Sequence, residues 1–210
     1  MELVIENVNK TIDRKTILDN VNLILRSGNI YGFVGKNGSG KTMLFRALSG
    51  LMLIDSGTVS LDGKLLHKDF DILPDLGIMI ENAGLYPHLS GFENLKRLST
   101  IRKKADDNTI KDYIRKVGLD PDDKRPFRKY SLGMKQRLVF AQAIFENQKI
   151  LMLDEPTNAL DDNGVKMVRD ILLERKKKSI ILIASHNHED IDILADEIFN
   201  VSEGHFTREG

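Results

Sequence analysis

The sequence predicts an α/β fold with a mainly parallel core sheet. Four short apolar runs suit buried strands, at positions 30–34, 76–80, 150–153 and 180–184. Stretches between these runs carry apolar residues at the three- and four-residue spacing of helices. This alternation of buried strands and helices is typical of parallel sheets covered by helices.

An antiparallel β part is expected within the first hundred residues. Leu3 and Ile5 alternate with polar neighbours, and residues 21–25 repeat the alternation. Residues 57–61 then form a strand that ends in the tight turn Asp62-Gly63. The predicted fold therefore combines antiparallel strands with the parallel core.

Two predicted helices have clear starts. Ser90 begins a capping box, because Glu93 follows three residues later. Ser131 is the expected N-cap of a later helix, and taken alone this pattern favours a structural cap over a functional site. The other helical faces lie within residues 43–51, 110–117, 165–172 and 191–195.

The composition indicates a globular protein without a general attraction to nucleic acid. The 210 residues suit one large domain or two small ones, and 31 basic residues balance 31 acidic residues. Zero net charge excludes a global basic field for nucleic acid or anionic membranes. The absence of cysteine excludes disulfides and thiolate zinc sites. We expect no signal peptide and no membrane-spanning helix.

The most informative stretch reads GKNGSGKT and fits a phosphate-binding loop. It follows the apolar run 30–34 and precedes a helical pattern, which places the unpaired N–H groups of the first helical turn against phosphates. Lys41 is expected to reach the β- and γ-phosphates, and Thr42 to ligate Mg²⁺. The candidate phosphate-binding residues are Gly35, Lys36, Asn37, Gly38, Ser39, Gly40, Lys41 and Thr42.

Two acids follow the apolar run 150–153. Asp154 and Glu155 are adjacent, so strand geometry would point them to opposite faces and exclude a proton-sharing dyad. Beside a phosphate loop, Asp154 suits Mg²⁺ binding and Glu155 suits orientation of an attacking water. The alternative is a pair of solvated acids at a strand end.

A polar segment also follows the run 180–184. His186 and His188 form a His-x-His pair, but no cysteine or third histidine lies nearby to complete a zinc site. The interpretation we favour is a histidine that contacts a phosphate or a water.

Four motifs in this order resemble the ATP-binding subunit of an ABC transporter. They are GKNGSGKT at 35–42, YSLGMKQR at 130–137, ILMLDEPTNALD at 150–161 and the Ser-His pair at 185–186. The second motif resembles the ABC signature, which other classes with a phosphate loop lack. The resemblance covers nearly the whole chain. It makes Ser131 a candidate functional residue, whereas the local pattern alone favours a structural cap.

The resemblance implies catalytic roles within one subunit. Lys41 matches the lysine that holds phosphates, and Asp154 matches the magnesium carboxylate. Glu155 matches the general base that polarises water for attack on the γ-phosphate. His186 matches the histidine that contacts this phosphate.

Other roles implied by the resemblance require a second subunit. Two cassettes of this family enclose two ATP molecules, so Ser131 and Gly133 would contact the ATP of the opposite subunit. Asp161 matches the loop that crosses the dimer interface. Hydrolysis would therefore require a dimer of this chain with itself or with a related subunit.

The sequence departs from the family pattern at several positions. Glu81 stands where the family has a glutamine; its oxygen can still bind Mg²⁺ or water, but it adds negative charge near the γ-phosphate. Leu132 and Met134 replace the first glycine and the glutamine of the signature. Ile12 stands where an aromatic residue usually stacks on adenine, which predicts weaker base selectivity.

The resemblance also implies a single ATP-binding domain over residues 1–210. The ATP-binding core and β part would span about 1–84 and 138–210, with a helical insertion at about 85–137. A separately encoded membrane permease would contact residues of about 81–95. We expect a subunit at the cytoplasmic face of the membrane, most similar to cassettes of bacterial drug or antimicrobial-peptide exporters.

Two other functions remain as alternatives at the level of sequence. One is a soluble ABC ATPase that acts on nucleic acid or ribosomes, although the chain has one cassette, no heptad run and no basic excess. The other is a regulatory module that holds nucleotide without turnover, suggested by Ile12 and Glu81.

Overall fold

The computed structural model describes residues 1–80, 84–186 and 188–209. Ten strands lie in this part of the chain: β1 Glu2–Ile12, β2 Lys15–Arg26, β3 Ile30–Val34, β4 Ser56–Leu61, β5 Lys64–Leu65, β6 Leu76–Met79, β7 Ile150–Asp154, β8 Ile180–Ser185, β9 Glu197–Ser202 and β10 His205–Arg208. Its helices are α1 Lys41–Ser49, α2 Gly91–Arg102, α3 Asp107–Lys116, α4 Leu132–Ile144, α5 Asp162–Lys176 and α6 His188–Leu194, with a 3₁₀ turn at Phe127–Lys129.

The strands form two sheets, which contain the predicted antiparallel β part and the predicted, mainly parallel core. The antiparallel sheet has the order β2-β1-β4-β5, and the second sheet has the order β10-β9-β3-β8-β7-β6. In the second sheet, every pairing from β9 to β6 is parallel, and only β10 pairs antiparallel. Because parallel strands end at one edge of the sheet, the residues after β3, β7 and β8 are brought together.

The apolar strands are buried on both faces. On β3, Tyr31 and Phe33 pack in one hydrophobic cluster with α1 and the antiparallel sheet, whereas Ile30 and Val34 belong to a second cluster with α2 to α5. Successive side chains point to opposite faces of a strand, so a run without polar positions is needed to fill both clusters.

The helix starts match the sequence predictions. The Ser90 hydroxyl accepts a bond from the Glu93 backbone N–H, and the Glu93 carboxylate accepts one from the Ser90 N–H, which completes the capping box. Ser131 caps α4 by accepting from the Met134 N–H. Such caps satisfy backbone donors that have no partner within the helix.

Strand β10 was not predicted from the sequence. Its four residues pair antiparallel with β9, and its burial is slight, since only Phe206 is half-buried. A short, exposed edge strand carries little hydrophobic periodicity, so the pattern beyond Val201 gave no strand signal.

Among the described residues, no helix combines the length and hydropathy that a membrane crossing requires.

Candidate nucleotide site

The loop at residues 35–42 joins β3 to α1, in the order that the sequence predicts. Gly38 and Gly40 have φ values of +79° and +117°, which favour glycine. At Gly35, an added Cβ would lie 2.2 Å from the Val201 carbonyl oxygen, and at Gly40 it would lie 2.9 Å from the Ile17 carbonyl oxygen. The loop therefore needs glycine for its backbone angles and for close contacts with neighbouring strands.

Lys41 lies over this loop and is 5% exposed. Its Nζ donates to the carbonyl oxygens of Gly35 at 2.5 Å and Lys36 at 3.2 Å. Burial lowers the pKa of the Lys41 ammonium, and the negative charges of Glu155 and Asp154 oppose that shift. The lysine is held by backbone oxygens at the place where a phosphate would meet it.

Thr42 and Asp154 are in direct contact, since the Thr42 hydroxyl donates to the Asp154 Oδ2. Thr42 is the second residue of α1 and Asp154 the last residue of β7. A hydroxyl and a carboxylate side by side are ligands that suit Mg²⁺, which binds one or two protein oxygens together with phosphates and water.

Glu155 contacts the residues that end β8. Its Oε1 accepts from the His186 backbone N–H at 2.9 Å and lies 2.7 Å from the His186 Nδ1. Its Oε2 accepts from the Ser185 hydroxyl at 3.1 Å. The positive φ of Glu155, +49°, turns the chain away from the direction of β7. Asp154 and Glu155 thus have different partners but line the same cavity.

The cavity has a volume of about 620 Å³. It brings together these predicted residues: Asn37, Gly38, Gly40, Lys41, Thr42, Asp154, Glu155 and His186. Gly35, Lys36 and Ser39 line an adjoining cavity of about 950 Å³, which also reaches His186. The parallel sheet thus gathers residues from three separate motifs at one edge.

Several lining residues were missed by the sequence analysis. Ile17, Met43, Gln136 and Asn158 line the first cavity. Gln136 and Asn158 belong to motifs already singled out, so their position in YSLGMKQR and PTN was the available signal. Ile17 lies on β2 and has no such signal.

Ile12 is not among the described residues that line either cavity. It ends β1, and its side chain is half-buried. The aliphatic side chain that reaches the phosphate loop from this part of the chain is Ile17, which lines both cavities.

Ser131, Gly133 and Asp161 do not line these cavities. Ser131 is exposed, and an added Cβ at Gly133 would lie 3.1 Å from the Ala159 carbonyl oxygen. Asp161 caps α5 and accepts a 2.7 Å bond from the Arg137 guanidinium. The hydrogen bond from the Gly164 N–H, followed by that from Arg137, lowers the pKa of the Asp161 carboxyl. Glu81 lies outside the described residues.

A phosphate loop with a buried lysine, facing a carboxylate and a second acid bound to a histidine, defines a protein that binds a nucleoside triphosphate. The family model described as ABC transporter matches residues 18–158. The chain belongs to this family, which confirms the resemblance seen in the sequence. It is therefore an ATP-binding cassette with the ATPase activity that this family couples to transport.

Similar proteins cover almost the whole chain. YybJ, an ABC transporter ATP-binding protein of Bacillus subtilis, is 50% identical over 94% of this chain and 91% of its own length. The lantibiotic transport ATP-binding protein SrtF of Streptococcus pyogenes is 38% identical over 96% of this chain and 87% of its own. The bacitracin transport ATP-binding protein BcrA of Enterococcus faecalis is 37% identical over 100% of this chain and 70% of its own.

A solved structure of a dimeric bacterial ABC transporter cassette superposes with a TM-score of 0.87 at 22% identity, covering 99% of this chain and 97% of that one. This match confirms the predicted fold.

Proposed function

We propose that the chain hydrolyses ATP at the cavity beside the phosphate loop, with Glu155 as the general base. The observation that carries this proposal is the convergence of Lys41, Thr42, Asp154, Glu155 and His186 on one cavity. Lys41 and the loop N–H groups would bind phosphate oxygens. Thr42 and Asp154 would hold Mg²⁺, which when bound neutralises phosphate charge.

Glu155 and His186 would have different roles at the γ-phosphate: Glu155 would accept a proton from water, and His186 would contact the phosphate oxygens. The Glu155 carboxylate accepts bonds from the Ser185 hydroxyl and the His186 N–H, which fix its position. A water between this carboxylate and the γ-phosphate would lose a proton to Glu155 as its oxygen bonds to the γ-phosphorus, while the bond to the β,γ-bridging oxygen breaks and ADP leaves. The exposed His186 ring can turn from Glu155 to the phosphate oxygens, because its Nδ1 contact is at the cavity surface.

Glu155→Gln tests the assignment of the base. The amide keeps the shape of the side chain but accepts no proton, so we expect ATP turnover to fall by about 10²- to 10⁴-fold while ATP still binds. Phosphate release and ATP affinity are the measurements. Glu6→Gln, on an exposed position of β1, is the matched control. Turnover by Glu155→Gln at the rate of the unchanged chain would show that Glu155 is not the base.

We also propose that the complete site forms between two cassettes, either two copies of this chain or one copy and a related subunit. Ser131 and Gly133 lie on an exposed end of α4, away from the cavity of their own chain. Their resemblance to the signature supports a contact with the ATP of the partner cassette. Asp161 at the start of α5 would lie near the same interface.

Mixing two inactive variants tests this arrangement. Lys41→Ala breaks one half of a site, and Ser131→Arg breaks the other half. A mixed dimer contains one site with both halves intact, so an equal mixture should recover about a quarter of the original turnover. No recovery, with both variants folded and able to dimerise, would indicate that each site belongs to one chain.

The partner that we propose for this subunit is a separately encoded permease that contacts residues of about 81–95, which would place the chain at the cytoplasmic face of a membrane. Tyr86 is 41% exposed and lies in this range. The names of SrtF and BcrA, which refer to lantibiotic and bacitracin transport, support antimicrobial peptides as the transported substrates, and export is the direction that we propose. Co-purification from detergent extracts, with Tyr86→Glu as the disrupting variant, tests the permease contact.

We also propose that residues of about 85–137 form a helical insertion and that Glu81 contacts Mg²⁺.

A further inference from the structure

Two hydrogen-bonded contacts join the segment after β7 to the segment after β8. The first is the exposed contact between Glu155 and His186. The second is partly buried: the Thr157 hydroxyl donates to the Asp190 Oδ2 at 2.5 Å, where Thr157 is half-buried and Asp190 is 4% exposed. The proposed roles of Glu155 and His186 involve the first contact and assign nothing to the second.

Arg169 on α5 binds the other oxygen of the same carboxylate. Its Nε and Nη2 donate to the Asp190 Oδ1 at 3.0 and 2.5 Å. A buried carboxylate is costly unless it is paired and hydrogen-bonded, and here the guanidinium and a hydroxyl satisfy both oxygens. Charged donors on one side and a neutral donor on the other hold the carboxylate in one orientation.

The sequence spacing connects this unit to the reacting groups. Thr157 follows Glu155 by two residues, and Asp190 follows His186 by four. The intervening loop is tied internally, because the Asn158 N–H donates to the Glu155 carbonyl and the Leu160 N–H donates to the Thr157 carbonyl. A shift of Thr157 therefore moves the backbone of Glu155.

We propose that Arg169, Asp190 and Thr157 form a positioning unit that keeps Glu155 and His186 within reach of each other. This inference rests on the proposed role of Glu155. The Glu155 to His186 contact lies at the cavity surface and opens when His186 turns to a phosphate. The contact between Thr157 and Asp190 does not involve His186 and persists through that change, so the two segments stay in register during each catalytic cycle. Misplacement of a reacting group by about 1 Å lowers the rate by up to about 100-fold. Holding Glu155 and His186 in place should therefore increase kcat.

Thr157→Val and Thr157→Ser form a matched pair for the test. Valine keeps the shape of threonine without the hydroxyl, and serine keeps the hydroxyl. With the full-length chain, we expect Thr157→Val to lower kcat by about tenfold or more and to change the KM for ATP by less than about twofold. Thr157→Ser should restore most of the kcat. A thermal melt of each variant reports whether the fold is intact.

The outcomes separate this inference from the proposed function. If Glu155→Gln turns over ATP like the unchanged chain, the role of Glu155 fails. If that role holds but Thr157→Val has the original kcat, the positioning unit is wrong. Equal losses of kcat and ATP affinity, or failure of serine to restore kcat, would also overturn it, since a general structural defect would produce both.

Asp190→Asn provides a second variant. It keeps one oxygen acceptor but loses the charge that pairs with Arg169, so we expect a lower kcat at unchanged KM together with a lower melting temperature. A lower melting temperature with an unchanged kcat would show that the ion pair supports only the fold and would contradict the inference.

Discussion

The side-chain amide of Gln136 donates a 2.7 Å hydrogen bond to the backbone carbonyl of Glu155. Gln136 lies on α4, five residues after its N-cap Ser131. The helix that presents Ser131 is thereby bonded to the backbone of the proposed base in the same chain. In the dimer that we propose, Ser131 at the start of this helix and Glu155 belong to different ATP sites, and the Gln136 bond links them within one chain.

Gln136→Met should lower ATP turnover more than ATP affinity. Methionine has a similar length but no strong donor, so the Glu155 carbonyl keeps only the bond from the Asn158 N–H. Loss of one hydrogen bond costs about 1 kcal/mol. Gln136→Glu should be more damaging, because a carboxylate would face the carbonyl oxygen. Phosphate release and ATP titration check both; turnover unchanged in Gln136→Glu would contradict this prediction.

Lys41→Met should weaken ATP binding by at least about tenfold, since a charged hydrogen bond contributes about 1.5–3 kcal/mol and 1.4 kcal/mol is a factor of ten. Methionine fills the buried space of the lysine stem but cannot donate to a phosphate. Isothermal titration with ATP is the measurement. Lys68→Met, at an exposed turn, is the control. Equal affinities for the two variants would disprove the phosphate contact of Lys41.

Glu146→Gln should stabilise the fold near neutral pH. The Glu146 side chain is 4% exposed, and the Arg102 Nη1 lies 4.0 Å from its Oε2. Its Oε1 has no hydrogen-bond partner among the described residues. Burial raises the pKa of this carboxyl, with Arg102 and Lys104 opposing the shift.

The sign of the pH dependence follows from that raised pKa. The folded chain binds the proton of Glu146 more tightly than the unfolded chain, so this stabilisation is full below the ordinary pKa and is lost as pH rises through the folded pKa. Urea unfolding at about pH 7.5 should show a gain of about 1 kcal/mol for Glu146→Gln, and less at about pH 4.5. Glu174→Gln is the control, and its effect on the free energy of unfolding at about pH 7.5 should have the opposite sign. The hydrogen bond from Lys116 lowers the pKa of Glu174, so the charged carboxylate is favoured in the folded chain. A gain for Glu146→Gln that grows as the pH falls would contradict the prediction.

Gly77→Ala should destabilise the fold by about 1–3 kcal/mol through overpacking. An added Cβ at Gly77 on β6 would lie 1.8 Å from the Ala143 carbonyl oxygen of α4. Relief of this overlap would require a shift of the β6 backbone or of the α4 backbone, which would disturb the strand or the helix. At Gly84, an added Cβ would meet nothing within 4 Å, so Gly84→Ala is the control. Similar denaturant midpoints for both variants would contradict the close packing of β6 on α4.

The sequence predicted those features that depend on short-range patterns. The buried parallel strands are continuous apolar runs, and the caps at Ser90 and Ser131 involve partners three residues away. The phosphate loop and the two acids follow buried strands, so a parallel sheet was enough to predict that they meet.

The contacts that organise the site could not be predicted from the same patterns. Gln136 and Glu155 are 19 residues apart, and Thr157 and Asp190 are 33 residues apart. Such pairs depend on how α4, α5 and α6 pack, which hydrophobic periodicity does not specify. The proposed trans role of Ser131 came from resemblance, because local physical chemistry identifies it only as a helix cap.

The cap of α4 leaves the Ser131 hydroxyl in a defined state before any partner arrives. Its oxygen accepts the Met134 N–H at 3.2 Å, so one lone pair is committed to the helix while the hydroxyl hydrogen stays able to donate. A serine already held in this way loses little rotational freedom when it meets a phosphate. In the dimer that we propose, the same oxygen would both cap the helix and carry the hydrogen that meets the opposite nucleotide, so the donor would already be preorganised when the two cassettes close.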